Sequence, residues 1–198
     1  MRVAMVDAGG ANLGSVQQAL GRLGVEPEIT ADAEAIASAD RVILPGVSTA
    51  AVVMQRLQAL GLVEVLRNLD APLLGVCVGM QLLFEHSEEG DTECLGLLPG
   101  RVRRLAGGPG LRVPHMGWNR LRMLRATPLV RDIDDGAFAY FVHGYAAAAG
   151  EDCVMACDHG ERFAAVVQRG RVAGAQFHPE RSSQVGARLL RNFIEAGA

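Results

Sequence analysis

The stretch Leu73-Leu74-Gly75-Val76-Cys77-Val78-Gly79-Met80-Gln81 decides the fold. Its first half is a short apolar run of the kind that forms a buried strand, and a helix-like run follows Cys77. A cysteine between two glycines at such a junction fits a nucleophile elbow. That sharp strand-to-helix turn exposes a reactive side chain at the top of a parallel sheet. A Cβ at either flanking position would crowd the turn. The dipole and free N–H groups of the following helix favour a thiolate at Cys77. The Val78 N–H in particular is placed to receive a developing oxyanion.

Upstream of the elbow the chain alternates strand and helix signals. An apolar run over Arg2–Asp7 leads through Gly9-Gly10-Ala11-Asn12 into a helical pattern from Leu13 to Leu23, which Gly24 is suited to end. Glu26–Ile29 reads as a second strand. Val42–Leu44 reads as a third, halted by Pro45-Gly46, and Thr49–Leu60 has helical spacing. This alternation predicts an α/β fold of flavodoxin-like type, a central and mostly parallel sheet with helices on both faces. From about residue 90 to 114 the pattern breaks down around Gly107-Gly108-Pro109-Gly110. Beyond it, Phe138–Val142, Val154–Cys157, Ala164–Gln168 and Val172–Phe177 read as strands with hairpin-like spacing. Ser183–Glu195 reads as a closing amphipathic helix with Val185, Leu189, Leu190 and Phe193 inward. No repeat or linker interrupts the 198 residues, so one domain over 1–198 is expected.

Composition narrows the function classes. Hydrophobic residues make up 49% and charged residues 21%, and the net charge of −3 offers no general attraction to nucleic acid or an anionic membrane. No apolar run reaches the roughly 18 residues of a membrane span. The start at Met1-Arg2-Val3 lacks a signal-peptide pattern, so a cytoplasmic protein is expected. All 19 basic residues are arginine, which removes Schiff-base, Walker-A and kinase-type lysine chemistry. Four scattered cysteines do not make a disulfide framework. Cys153 and Cys157 have no matching Cys/His pair nearby, and neither a metal nor a cofactor is expected.

A cysteine nucleophile needs a base, and the base needs an orienting partner. Gln176-Phe177-His178-Pro179-Glu180 supplies both. His178 and Glu180 are two apart and in extended backbone project the same way, with Pro179 favouring that geometry at His178. A carboxylate beside the imidazole fixes its tautomer and supports its charged form. Taken apart from the elbow, the same residues read equally well as a solvated turn after the last strand.

Together the two motifs resemble the class I (triad) glutamine amidotransferases, and within them the glutaminase subunits of imidazole glycerol phosphate synthases of histidine biosynthesis. Supporting segments are Asn12-Leu13-Gly14-Ser15-Val16, Leu44-Pro45-Gly46-Val47, Pro114-His115-Met116-Gly117-Trp118-Asn119 and Tyr140-Phe141-Val142-His143-Gly144-Tyr145. The resemblance covers essentially the whole chain, and the segment around Trp118 is its most specific part. It implies that Cys77 attacks the side-chain amide of glutamine, that His178 moves the protons, and that Glu180 orients His178. It further implies an oxyanion hole from the N–H groups of Val78 and Val47. Gln81 and Glu89 match positions that hold the substrate, with backbone help from Gly46, Gly144 and Tyr145.

The implied partner is a (β/α)8-barrel cyclase subunit, joined as a heterodimer, that receives ammonia through a tunnel. Met116 and Trp118 match interface positions, as do Asn12, Tyr140 and Arg181. Two residues depart from the family pattern: Ser48 stands where glycine is usual after Pro-Gly-Val, and Gly144 replaces a serine or threonine. The glutaminase of another synthase, of pyridoxal phosphate or aminodeoxychorismate type, is the alternative within the same chemistry. A free-standing cysteine amidase and a silent flavodoxin-like binding module are the others. His115 and His143 read as polar support of loops, and Trp118 also has a reading as a packing residue. His86, His159 and Cys94 have no partner that sequence can name. Arg101, Arg103 and Arg104 read as a solvated strand face, and Asp134-Asp135 as an exposed turn.

Overall fold

A computed structural model describes residues 1–9 and 13–195. The first half is built of short apolar strands joined by helices: β1 (Val3–Val6), α1 (Leu13–Gly21), β2 (Glu28–Thr30), α2 (Ala33–Ala37), β3 (Arg41–Gly46), α3 (Ala50–Ala59), α4 (Leu62–Arg67), β4 (Leu73–Cys77) and α5 (Val78–Gln81). Every residue of β1 and β4 is buried, as strands covered on both faces must be. Caps set the helix starts: Asp32 accepts from the Ala35 N–H before α2, and Thr49 from the Val52 N–H before α3. The second half is mainly antiparallel. It comprises β5 (His86–Ser87), β6 (Thr92–Glu93), β7 (Arg101–Arg104), β8 (His115–Arg120), β9 (Arg122–Met123), β10 (Phe138–His143), β11 (Tyr145–Ala147), β12 (Cys153–His159), β13 (Glu161–Arg169) and β14 (Val172–Ala175), closed by α6 (Ser183–Glu195).

The main sheet runs β2-β1-β3-β4-β14-β13-β12-β9, parallel from β2 to β14 and antiparallel beyond. The chain steps from β1 outward to β2 and then crosses back to lay β3 and β4 on the other side. Right-handed crossovers therefore put α1 on one face and α2, α3 and α4 on the other. The packing agrees, since α2 and α3 rest on α4, while α1 and α6 share the 3₁₀ turn Pro179–Arg181. Sheets of this kind bind ligands outside the carboxyl ends of strands where the winding reverses, here at β1 and β3. Two smaller units flank the sheet: a four-stranded β11-β7-β5-β6 sheet and a two-stranded β10-β8 ribbon. The buried apolar residues form one contiguous cluster from Val3 to Ile194. Among the described residues no helix is long and apolar enough to cross a membrane.

Several elements differ from the sequence expectation for identifiable reasons. Strand β3 does not stop at Pro45 but continues to Gly46. Val42 donates its N–H to Pro72 on the β4 side, so the odd residues face β1, and pairing with β1 ends at Ile43. Pro45 thus lacks a donor on a side where none is needed. The last parallel strand ends at Ala175 rather than Phe177. Helices α2 and α4 had no separate sequence signal. The irregular region after residue 90 contains β6 and β7, and the Pro-His-Met-Gly-Trp-Asn segment forms ribbon strand β8. Helix α6 keeps the bounds read from its periodicity, with Leu189, Leu190 and Phe193 buried and Val185 packed on the core.

Candidate active site

Cys77 ends β4 with φ 55° and ψ −113°, a conformation that a non-glycine residue holds only under constraint. The constraint comes from close packing of α5 on the sheet. A Cβ on Gly75 would lie 2.5 Å from the Gly79 carbonyl oxygen, and one on Gly79 would overlap the Leu44 carbonyl. Both flanking glycines are thus required by close approach, and the turn is the elbow expected from sequence. One detail differs. Helix α5 is a single turn, Val78–Gln81, so its free N–H groups face Cys77 without the dipole of a long helix behind them.

His178 lies beyond β14 in extended backbone, but Pro179–Arg181 closes a 3₁₀ turn, so Glu180 is not in the extended strand the spacing suggested. Proline at the start of such a turn gives up an N–H that would have no partner there. Ser182 stabilises the turn by donating its hydroxyl to the His178 carbonyl at 2.7 Å, and its oxygen accepts the Tyr140 N–H at 2.9 Å. The His178 N–H in turn donates to the Tyr140 carbonyl at 3.0 Å. The turn still brings the carboxylate round: His178 Nδ1 lies 2.9 Å from Glu180 Oε1, whose side chain is only 1% exposed. Burial acts to lower the imidazole's pKa, but hydrogen bonds with Cys77 and Glu180 outweigh it and push it up to about 10. Imidazolium beside Cys77 is the arrangement a thiolate nucleophile needs. Burial pushes the other thiols up instead, Cys94 and Cys153 to about 11 and Cys157 to about 12, where they stay protonated and inert.

Cys77 and His178 open onto a cleft of about 530 Å³, lined also by Val47, Ser48, Val78, Val142 and Arg181. The two oxyanion candidates, Val47 and Val78, therefore line the same cleft as Cys77, and Gly46 is in register with Cys77 across the β3–β4 pair. Ser48 has φ 127°, in the region that favours glycine, so a glycine would sit there without strain. Gly144 is the opposite case: a Cβ there would meet only Pro114 and Val113 at 3.9 Å, so a larger residue would fit.

Gln81 is buried and donates Nε2 to the Tyr145 carbonyl at 2.9 Å and to Gln176 Oε1 at 3.1 Å, which leaves Gln81 Oε1 without a donor. Glu89 lies farther along the chain, its Oε2 accepting the Ala50 N–H at the start of α3. Sequence reasoning missed Gln176 and Val142 as neighbours of Cys77. Gln176 Nε2 lies 3.9 Å and the Val142 carbonyl 3.8 Å from Cys77 Sγ. Gln176 was within sight, as it opens the motif that holds His178.

The remaining expected residues gather on the β10–β8 ribbon. Period-two alternation puts His115 inside and leaves Met116, Trp118 and Arg120 on the outer face. Met116 is 64% and Trp118 53% exposed, which sets aside packing in the core as the role of Trp118. Tyr140 lies opposite Trp118 in register with ring centroids 5.9 Å apart, and Phe138 is also exposed. Asn12 lies outside the described residues. His115 and His143 are buried and linked to each other, beyond the loop support read from sequence.

The family model for class-I glutamine amidotransferases matches residues 4–196. The imidazole glycerol phosphate synthase subunit HisH of Xylella fastidiosa (strain Temecula1) is 62% identical over 196 residues, spanning 99% of this chain and 98% of that one. The subunit of the same name from Xanthomonas oryzae pv. oryzae (strain MAFF 311018) is 62% identical over 193 residues, 98% and 96% of the two chains. Among solved structures, a crystal structure of a glutamine amidotransferase shares the fold with a TM-score of 0.77 at 22% identity, covering 98% of each chain. The glutaminase domain of Trypanosoma brucei CTPS with bound acivicin does so with a TM-score of 0.67 at 17% identity, covering 98% of this chain and 94% of that one. With an elbow cysteine, a carboxylate-held histidine and a match over almost its whole length, the chain belongs to the class-I glutamine amidotransferases.

Proposed function

We propose that the chain, as one unit over residues 1–198, is the glutaminase subunit of an imidazole glycerol phosphate synthase. In this reading it works in the cytoplasm and passes ammonia to a (β/α)8-barrel cyclase subunit in a heterodimer. The observation that carries it is the His178–Glu180 pair beside a constrained Cys77, in a chain 62% identical over 99% of its length to a subunit of that name. The exposed apolar face of Met116, Trp118 and Phe138 supports a docked partner, since soluble monomers rarely leave such a patch open.

The steps follow from the residues. The Cys77 thiolate adds to the side-chain amide carbon of glutamine, and the N–H groups of Val78 and Val47 receive the oxyanion. Imidazolium at His178 gives its proton to the nitrogen, the C–N bond breaks, and ammonia leaves a glutamyl thioester. His178, now neutral, takes a proton from water, whose oxygen attacks the thioester and releases glutamate and the thiolate. Each oxyanion donor is worth roughly 3 kcal/mol to such a transition state. Glu180 holds the imidazole in place through both halves. Gln81 and Glu89 hold the substrate's amino-acid end, assisted by backbone at Gly46, Gly144 and Tyr145. Arg181, at the cleft mouth, joins Met116, Trp118, Tyr140 and Asn12 in facing the cyclase.

The deciding experiment is glutamate release from glutamine, by the chain alone and with a cyclase subunit carrying its nucleotide ligand. Weak activity alone and strong stimulation by the liganded cyclase is the expected result, with Cys77→Ser abolishing both while the complex still forms. Full activity that ignores the cyclase would overturn the subunit assignment, and undiminished turnover by Cys77→Ser would overturn the nucleophile.

A further inference from the structure

Between the ribbon and the cleft lies a chain of buried polar contacts that the reaction itself does not use. Asn119 Nδ2 lies 3.2 Å from His115 Nε2, His115 Nδ1 lies 3.0 Å from His143 Nε2, and His143 Nδ1 lies 2.8 Å from the Tyr145 carbonyl oxygen. The same carbonyl accepts Gln81 Nε2 at 2.9 Å. His115 and His143 are 4% and 6% exposed, and Phe141 and Phe163 pack against both rings.

Both ends of this chain have a fixed sense. The Tyr145 carbonyl can only accept, so the His143 proton sits on Nδ1 and its Nε2 is left to accept. At the other end the Asn119 amide is oriented by two groups of single sense: its Oδ1 accepts the Arg120 N–H at 2.8 Å and its Nδ2 donates to the Asp158 carbonyl at 3.0 Å. His115 Nε2 therefore accepts, and its proton sits on Nδ1, which donates to His143 Nε2. The two ends independently demand the same pair of tautomers, and two neutral rings satisfy every contact. Burial, with His159 stacked at 4.1 Å, holds His115 down to about 4, and burial holds His143 down to about 3.

We propose that His115 and His143 are positioning residues for glutamine: a one-way relay of neutral imidazoles that holds the Tyr145 carbonyl and, through it, the orientation of the Gln81 amide. Without the His143 donor, the Tyr145 carbonyl, in the peptide between Tyr145 and Ala146, loses one of its two side-chain partners and the fixed aim that the imidazole gives it. Of the two acceptors on Gln81 Nε2, Gln176 Oε1 belongs to an amide that can itself turn over, so the Tyr145 carbonyl is the one of fixed sense, and loosening it loosens the Gln81 amide and its unpartnered Oε1. Neither histidine touches the nucleophile, so the relay acts on binding of the substrate and leaves the chemical step to Cys77 and His178. The proposal rests on the reading of Gln81, Gly144 and Tyr145 as the substrate-holding residues.

Two measurements test it, and they fail separately. The first is ¹⁵N NMR of the histidine side chains in the intact wild-type chain, which reads the tautomers without any assay of function. Both His115 and His143 are expected as neutral Nδ1–H forms, and an Nε2–H or doubly protonated form at either ring near neutral pH overturns the relay. The second is glutamine hydrolysis with the cyclase subunit present. His143→Ala is expected to raise KM for glutamine about tenfold, the worth of one hydrogen bond, with kcat little changed. His143→Asn, which restores an N–H near the place of Nδ1, should recover most of that loss. A fall in kcat at unchanged KM, or no rescue by asparagine, would overturn the positioning role while wild-type activity keeps the glutaminase reading intact. Absence of glutamine hydrolysis by the wild type would instead overturn that reading, and the tautomers alone would then decide whether the relay exists.

Discussion

Two non-glycine residues at the cleft carry left-handed backbone, and they carry it for different reasons. At Cys77 it is part of the elbow and aims the thiol; at Ser48 it falls on a serine where glycine would sit without strain. Such strain costs roughly 1–3 kcal/mol, partly offset in a glycine variant by about 0.5–1 kcal/mol of extra unfolded-state freedom. Ser48→Gly is therefore expected to stabilise the fold by about 1 kcal/mol in urea denaturation. Equal or lower stability would mean that contacts of the Ser48 side chain offset the strain. His178 makes a second test at this scale. Its pKa is raised from 6.5 to about 10 in the folded state, so its contribution to stability is complete below pH 6.5 and is lost as pH rises toward 10. Denaturation free energies measured across that window should fall for the wild type and fall less for His178→Gln. Parallel curves would show that the pair with Cys77 and Glu180 does not hold the charge.

Among the elements, α5 shows how glycines place a site. Gly79 brings its turn against the Leu44 carbonyl, and Gly75 lets β4 pass beneath it. Gly79→Ala forces α5 off β3 and is expected to cost about 3 kcal/mol, with glutaminase activity lost along with the oxyanion site. A variant of wild-type stability and activity would disprove the packing argument. The same element was legible in the sequence only in company: Gly-Val-Cys-Val-Gly alone reads equally as a buried cysteine on a glycine-flanked strand, and Gln-Phe-His-Pro-Glu about a hundred residues on lifts it to an elbow. Helix α6 was legible from its periodicity alone. Strand β3 runs past the proline that marks its end in the sequence, because the lost donor matters only on a paired side. Ribbon strand β8 was hidden because its inward positions are His115, Gly117 and Asn119, so the alternation that marks a strand is written in polar residues. The relay through His115 and His143 was illegible for the same reason. Its partners are Asn119 and a main-chain carbonyl, and no pattern of side chains announces a carbonyl.

At the scale of the whole molecule, the sheet and the ribbon divide the work. The sheet presents Cys77 at the end of β4, while the ribbon offers an apolar face and reaches back to the main chain of His178 through the Tyr140 carbonyl. A partner seated on Met116 and Trp118 of β8 thus presses on the strand paired with β10, whose Tyr140 carbonyl accepts the His178 N–H. Trp118→Ala is expected to weaken cyclase binding by about 2 kcal/mol, measured by titration calorimetry. Unchanged affinity would assign Trp118 to local packing with Tyr140. Trp118 is also the sole tryptophan of the chain, half exposed on that outer face. The molecule therefore carries a built-in fluorophore at one address. Excited at the red edge, its emission comes from the ribbon alone. Docking that dries this face should shift the emission to the blue and shield it from iodide, so that assembly can be followed in real time with no dye attached.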